Sequence, residues 1–242
     1  MLAAEEPSPA AVAGYDAYVG RVEARLRAEH QRASGYLAPE DWTRLRQGEP
    51  IVEKLSQETG AELPGAMLSD RRGTAFVPGG RVRDFERVMR NFREYPRIYA
   101  PQVQRASMQS QNGDHNQVTL RTEQKHVLTV VLDTSYDVSF GRLDSQHGYS
   151  VSRSTHVAEI EAAGKPSERA LSPAEQHGFL WRMNTYWSYE ERDGGLYIQI
   201  ETVTLTRSVP KGLGWAVGPF IESVPRESME FTLAATREAL KR

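Results

Sequence analysis

The spacing of hydrophobic residues changes period along the chain. Over residues 10–32, Val12, Tyr15, Val19, Val22 and Leu26 recur every three or four positions opposite a charged face, which predicts an amphipathic helix. Pro7, Ser8 and Pro9 lead into it. Residues 34–48, with Pro39, Trp42 and Leu45, read as a second short helix or turn, and Gly48 and Pro50 punctuate. Residues 1–48 are therefore expected to form a helical extension, and residues 49–242 the main domain.

From residue 49 the period falls to two. Strands are expected at 51–55, 66–77, 103–111, 117–124, 127–140, 147–160, 177–190 and 196–207. A helix at 81–92 carries the stripe Val82, Phe85, Val88, Met89 and Phe92, and prolines limit 94–101 to a single turn or a short helix. Asn112-Gly113 and Asp193-Gly194 are hairpin signals. With Asp193 and Gly194 as the loop, Trp187 faces Ile200, Tyr189 faces Ile198, Tyr186 faces Glu201 and Arg182 faces Leu205. Alternation groups Leu128, Val130, Leu132, Thr134, Tyr136, Val138 and Phe140 on one face, with Asp133, Ser135 and Asp137 on the other. It likewise groups Tyr149, Val151, Arg153, Thr155 and Val157, and then Phe179, Trp181, Met183, Trp187 and Tyr189.

Residues 223–242 read as a closing helix, with Ser223 as N-cap, Pro225 in the first turn and Lys241-Arg242 at its end. At about 100° per residue, Arg226, Glu227, Glu230, Arg237, Glu238 and Lys241 gather on one side. The uncharged side has large groups at its edges (Phe231, Met229, Leu233, Leu240) and a small middle of Ser228, Thr232, Ala235, Thr236 and Ala239. Consecutive hairpin-linked strands with helices on one face predict an α+β fold. A curled antiparallel sheet of about seven strands wraps the closing helix and leaves a cavity against its small middle.

Composition narrows the function. Net charge is −2, which leaves no global field to recruit nucleic acid. The chain has no cysteine, so disulfides, thiolate metal sites and a Cys nucleophile are excluded together. No apolar run reaches the length that spans a bilayer; transient membrane contact stays open. The start, Met1-Leu2-Ala3-Ala4-Glu5-Glu6-Pro7, resembles the remnant of signal cleavage. Export and a cytoplasmic place stand equally as expectations, and the oligomeric state is left open.

Phe76-Val-Pro-Gly79 before a helix, Tyr95-Pro-Arg-Ile-Tyr-Ala-Pro-Gln-Val103, the Trp187–Gly195 hairpin and the closing helix together resemble the helix-grip superfamily, also called START-like, SRPBCC or polyketide cyclase/lipid transport. The likeness covers roughly residues 66–242 and rests mainly on element order. It implies a hydrophobic tunnel between sheet and closing helix. Members bind sterols, phospholipids, quinones, plant hormones or polyketides, and a minority act as enzymes on the bound ligand. No subgroup with an assigned substrate is matched.

Arg153 is the sharpest single candidate, a cation between Val151 and Val157 on an otherwise apolar or neutral face. It needs a carboxylate partner, a bulge that turns it outward, or an anionic ligand head group. Tyr136, Phe140, Trp181, Met183 and Trp187 are expected either to line the pocket or to form plain core, with Ser228, Met229, Thr232, Leu233 and Thr236 opposite them on the helix. Arg182, Asn184, Tyr186, Glu201 and Arg207 fall on the other face, solvated or covered by the extension.

The stretch Gly212-Leu-Gly214-Trp-Ala-Val-Gly218 has the wrong spacing for a dinucleotide loop, and Pro219 follows; Trp215 and Phe220 are expected to plug one cavity mouth. His30, His115, His126, His147, His156 and His177 are dispersed without metal-ligand spacing, and no HExxH or GxSxG occurs. Asp133 and Asp137 lie on the outward register, against an acid–base pair. No catalytic residue, metal or cofactor is therefore assigned. The expected function is sequestration or transport of a hydrophobic or amphipathic small molecule. The alternatives are a cyclase/aromatase-type enzyme and an interaction scaffold without ligand.

Overall fold

The structure is a computed structural model that describes residues 6–32, 35–56, 63–125, 129–208 and 214–241, with the side chains of the last segment from residue 223. Helix α1 (Pro9–His30) and the short α2 (Trp42–Arg46) precede strands β1 (Ile51–Lys54) and β2 (Ala66–Pro78). Helix α3 (Val82–Arg90), a 3-10 turn (Phe92–Glu94) and α4 (Tyr95–Ile98) follow. The rest is β3 (Val103–Asn112), β4 (His115–Lys125), β5 (Thr129–Arg142), β6 (His147–Glu161), β7 (Arg169–Ala170), β8 (Arg182–Arg192), β9 (Gly195–Arg207) and α5 (Gly214–Leu240).

All described strands pair antiparallel in the order β1-β2-β9-β8-β6-β5-β4-β3, with the two-residue β7 on β6. The eight expected strand segments are all present and β7, which lies in what reads as a polar loop, is added, so the sheet is larger than the expected seven or so strands. The hairpin register is as expected: Trp187 pairs Ile200, Tyr189 pairs Ile198, Tyr186 pairs Glu201 and Arg182 pairs Leu205. One face of the curled sheet carries α3, α4 and α5 around a core that includes Phe85, Tyr99, Val138, Phe140, Trp187, Tyr189, Ile198 and Leu233. This is the concave face.

Two expectations need correction. The helices do not all lie on one face. Ala11, Tyr15, Val22 and Leu26 of α1 pack on Leu68, Tyr186, Val203 and Leu205 of the opposite, convex face. That face is amphipathic too, because strand residues pointing away from the main core are themselves Leu, Val and Tyr. The second correction concerns α5, which begins at Gly214 rather than at Ser223, so Pro219 and Pro225 both lie inside it. A proline removes one backbone donor, and a capping pattern at Ser223 is a weak prior that tertiary packing overrides.

Beneath α1 the convex face is polar as well as apolar. Glu201 is buried and accepts from Arg72 at 3.0 and 3.1 Å and from Arg25 of α1. Tyr18 donates to Asp70 at 2.8 Å, and Tyr15 donates to the carbonyl of Val203 at 3.2 Å. Helix α1 is thus anchored by hydrogen bonds to buried charges, which are costly to leave unpaired.

Candidate functional site

Register resolves the concave face into rows that cross the sheet. The first row is Gly73, Ile200, Trp187, Ser150 and Phe140. It is closed. Trp187 meets Phe85 at 5.4 Å, Phe140 meets Phe92 at 6.4 Å, and Arg90 stacks over Phe140 at 4.2 Å. Gly73 admits α5, since a Cβ there would come within 2.8 Å of Leu233 and Met229. Buried Thr236 lies 3.0 Å from the Tyr99 hydroxyl.

The next row is Arg71, Thr202, Thr185, Ser152 and Val138, and the one beyond it Ser69, Thr204, Met183, Ser154 and Tyr136. Here the character changes. Ser69, Thr202, Thr204, Thr185, Met183, Ser152 and Ser154 are half-buried, whereas Arg71 is buried. The Ser154 hydroxyl accepts from the Met183 amide at 2.8 Å, and the Tyr136 hydroxyl donates to the Met183 sulfur at 3.5 Å. Among the described residues, the side-chain oxygens of Ser69, Ser152, Thr185, Thr202 and Thr204 make no hydrogen bond.

Burial pushes the phenols of Tyr99 and Tyr136 up to about 12, so both keep their protons at neutral pH. The three rows carry no carboxylate and no imidazole. They therefore present hydrogen-bond donors and acceptors and one cation, and no acid–base pair.

Tyr136, Phe140, Met183, Trp187, Met229, Leu233 and Thr236 come together on the concave side. Ser228 and Thr232 occupy the adjoining side of α5, where Ser228 contacts Gln102 at 3.2 Å and Gln124 at 3.4 Å. Trp181 does not join them. It packs with the α1 cluster on the convex face, because β8 starts only at Arg182 and Gly178, at φ +76°, turns the chain before it.

Arg153 is also on the convex face, where its Nε donates to Glu23 of α1 at 2.8 Å. It pairs Asn184 and Asp137 there, in regular alternation with Val151, and a bulge follows: Ser135 pairs His156 but Tyr136 pairs Ser154, so Thr155 is the extra residue. Val157 then pairs Thr134 on the concave side, and Arg153 and Val157 no longer share a face. Asp133 is held by Arg121 at 2.6 and 2.7 Å, and Asp137 accepts from Gln117 at 3.2 Å, both away from the rows. Tyr186, Glu201 and Asn184 lie under α1 or beside it. His126, Leu128, Gly212 and the side chains of Trp215 and Phe220 lie outside the described residues.

Arg71 and the Thr202–Thr185 pair went unremarked in the sequence. A signal existed for the threonines: two residues along from Trp187–Ile200, the same register places Thr185 opposite Thr202. For Arg71 the signal is weaker, since 66–77 mixes polar and apolar residues on both sides and does not reveal which face looks inward.

A similar solved structure is the Zhui aromatase/cyclase from Streptomyces sp. R1128, at 13% identity and TM-score 0.50, covering 72% of this chain and 94% of that one. The fold is START-like. Two further solved structures score slightly lower. A STAR-related lipid transfer protein from Xanthomonas axonopodis has 14% identity, TM-score 0.48 and coverage of 79% and 99% of the two chains. Human STARD10 has 8%, 0.47 and coverage of 83% and 81%. No family model and no curated protein matches the sequence. The START-like fold carries no subgroup with it, and no described helix is long and apolar enough to cross a membrane.

Proposed function

We propose that the protein binds a hydrophobic or amphipathic small molecule between the concave face and α5, and sequesters or carries it. The observation that supports this reading is the contrast between adjacent rows. Apolar side chains and Gly73 seal the first row against the helices, while the next two remain half-buried under the same helix. A dry core filled for stability alone places apolar groups at such positions. Burial of apolar ligand surface, at about 25 cal/mol per Å², supplies the affinity. The lining would include Tyr136 and Met183 of the sheet and Ser228, Met229 and Thr232 of α5, with Phe140, Trp187, Leu233 and Thr236 forming the floor behind them. Helix α1 is an outer cover on the convex face rather than part of the pocket.

Native mass spectrometry of freshly purified protein, with solvent extraction of the same sample, tests the reading. A stoichiometric small molecule released unchanged supports a carrier. A chemically altered product on incubation turns the reading toward an enzyme. A ligand-free protein that takes up no apolar probe overturns it.

A further inference from the structure

Helix α3 turns its apolar side inward and a ridge of arginines outward. Val82, Phe85 and Met89 are buried in the core, while Arg83, Arg87 and Arg90 recur on the opposite side of the helix. Arg93 in the following 3-10 turn and Arg97 of α4 carry the exposed side onward, with Phe92, Tyr95 and Tyr99 buried behind them. Two of the five are already held: Arg90 meets Asp114 at 2.8 Å and Arg97 meets Glu94 at 2.6 Å. The other three are not balanced. Arg83 and Arg87 share the carboxylate of Asp84 at 4.0 and 3.3 Å, and their side chains are 82% and 70% exposed. Arg93 is exposed and makes no hydrogen bond or ion pair among the described residues. Three cations against one carboxylate leave a local excess of positive charge, in a chain whose net charge is −2. An apolar group stands at the flank of the ridge. Arg142 donates to Glu86 of α3 at 3.2 Å, and Leu143, the next residue, is 46% exposed.

A charged face that only keeps a helix in solution intersperses both signs. Here one sign prevails on an outward ridge, from residue 83 to 93 about 15 Å long. A guanidinium fork matches a phosphate bidentately, and several in a line suit a surface of many phosphates better than one bound ion. We propose that this ridge docks the protein on an anionic lipid bilayer, with Arg83, Arg87 and Arg93 against headgroup phosphates and Leu143 at the edge of the acyl region. The exposed leucine favours a bilayer over an acidic polypeptide, which offers such a side chain no apolar partner. The proposal concerns the outer side of α3 and α4, and it holds whether or not the concave face takes a ligand.

Co-sedimentation of the full chain with vesicles tests it, using phosphatidylcholine alone and phosphatidylcholine with phosphatidylglycerol in equal parts. The wild type is expected to bind the anionic vesicles at least about tenfold more tightly, and to lose that preference as sodium chloride rises from about 0.05 to 0.5 M. Combining Arg83→Gln, Arg87→Gln and Arg93→Gln changes exposed side chains only and should bring anionic binding to within about threefold of neutral. The same charge removed from α1, by Arg21→Gln, Arg27→Gln and Arg32→Gln, should leave the preference within about threefold of wild type, which separates the ridge from net charge. Leu143→Ser should weaken anionic binding by about threefold. Equal binding to both vesicles, a preference that survives in the ridge variant, or an equal loss in the α1 variant overturns the proposal. So does capture by polyglutamate through the same arginines without any binding to vesicles, a result that assigns the ridge to an acidic protein.

Discussion

Leu233 of α5 rests on Gly73 of β2, so close that a Cβ at position 73 would lie 2.8 Å from Leu233 Cδ1. Leu233 is fully buried, and the missing side chain lets the helix approach the sheet. Gly73→Ala is expected to destabilise the fold by about 1–3 kcal/mol through overpacking. The loss should appear as a lower urea midpoint with an unchanged slope. An unaltered midpoint would show that Met229 and Leu233 have room to move aside.

The Tyr99–Thr236 pair ties α5 to the segment after α4 with a buried hydrogen bond of 3.0 Å. Thr236→Val keeps the volume and removes the partner. A cost of about 1–2 kcal/mol is expected, because the Tyr99 hydroxyl is left with only a long contact to the Met89 sulfur. A double-mutant cycle with Tyr99→Phe should recover part of that loss. Strictly additive effects would show that the bond contributes nothing.

Arg153 supplies a test of the face it occupies. Its side chain is 47% exposed and pairs with Glu23 on the convex face. Arg153→Gln is expected to cost less than about 1 kcal/mol and to leave probe binding unchanged. A selective loss of binding in a stable Arg153→Gln protein would return this residue to the pocket.

These residues show where sequence patterning is informative. Strand existence and the Trp187–Ile200 register were legible because turn residues and period-two alternation both report local geometry. The face of Val157 was not, because a single extra residue at Thr155 reverses every later side chain and leaves no mark in composition. The face of Arg71 was hidden for another reason. With α1 on one side and α5 on the other, β2 is buried on both faces and its alternation is blurred. The start of α5 was misread at Ser223, where a local capping pattern competes with helix continuation through two prolines.

Two groups, buried Asp70 beneath α1 and half-buried His30 at its end, titrate in opposite senses. Asp70 is pushed up to about 7, first by burial and then by Glu201. Its carboxyl ionises more readily once unfolded, so its contribution to stability is present in acid and lost as pH rises from about 4 through 7. His30, hydrogen-bonded to Ser188 at 2.9 Å, is pushed down to about 4 by burial. It stays neutral when folded, so its contribution is present above about pH 6.5 and lost as pH falls toward 4. The two slopes largely cancel, and wild-type stability should be nearly flat across that window. Asp70→Asn should expose the histidine slope, with stability rising from about pH 4.5 to 6.5 by on the order of 1–2 kcal/mol after allowance for the partial exposure of His30. His30→Gln should show the opposite slope. Urea midpoints at several pH values decide it; profiles parallel to wild type in both variants would exclude the pairing.

Thr232 tests where the proposed pocket lies along the helix. Its hydroxyl donates to the Ser228 carbonyl at 2.8 Å, so the side chain already satisfies its own polar group and is not needed as a ligand. It is half-buried, on the same side of α5 as Ser228, whose hydroxyl reaches Gln102 and Gln124 at the β3–β4 side of the sheet. An indole at this position projects into the space between α5 and those strands. Thr232→Trp is therefore expected to reduce uptake of an apolar probe by at least about tenfold by filling volume, with a far-ultraviolet circular dichroism spectrum like that of wild type. Thr232→Ala removes volume and one local hydrogen bond and should leave uptake within about twofold. Full uptake by a folded Thr232→Trp protein would move the binding space away from this side of α5.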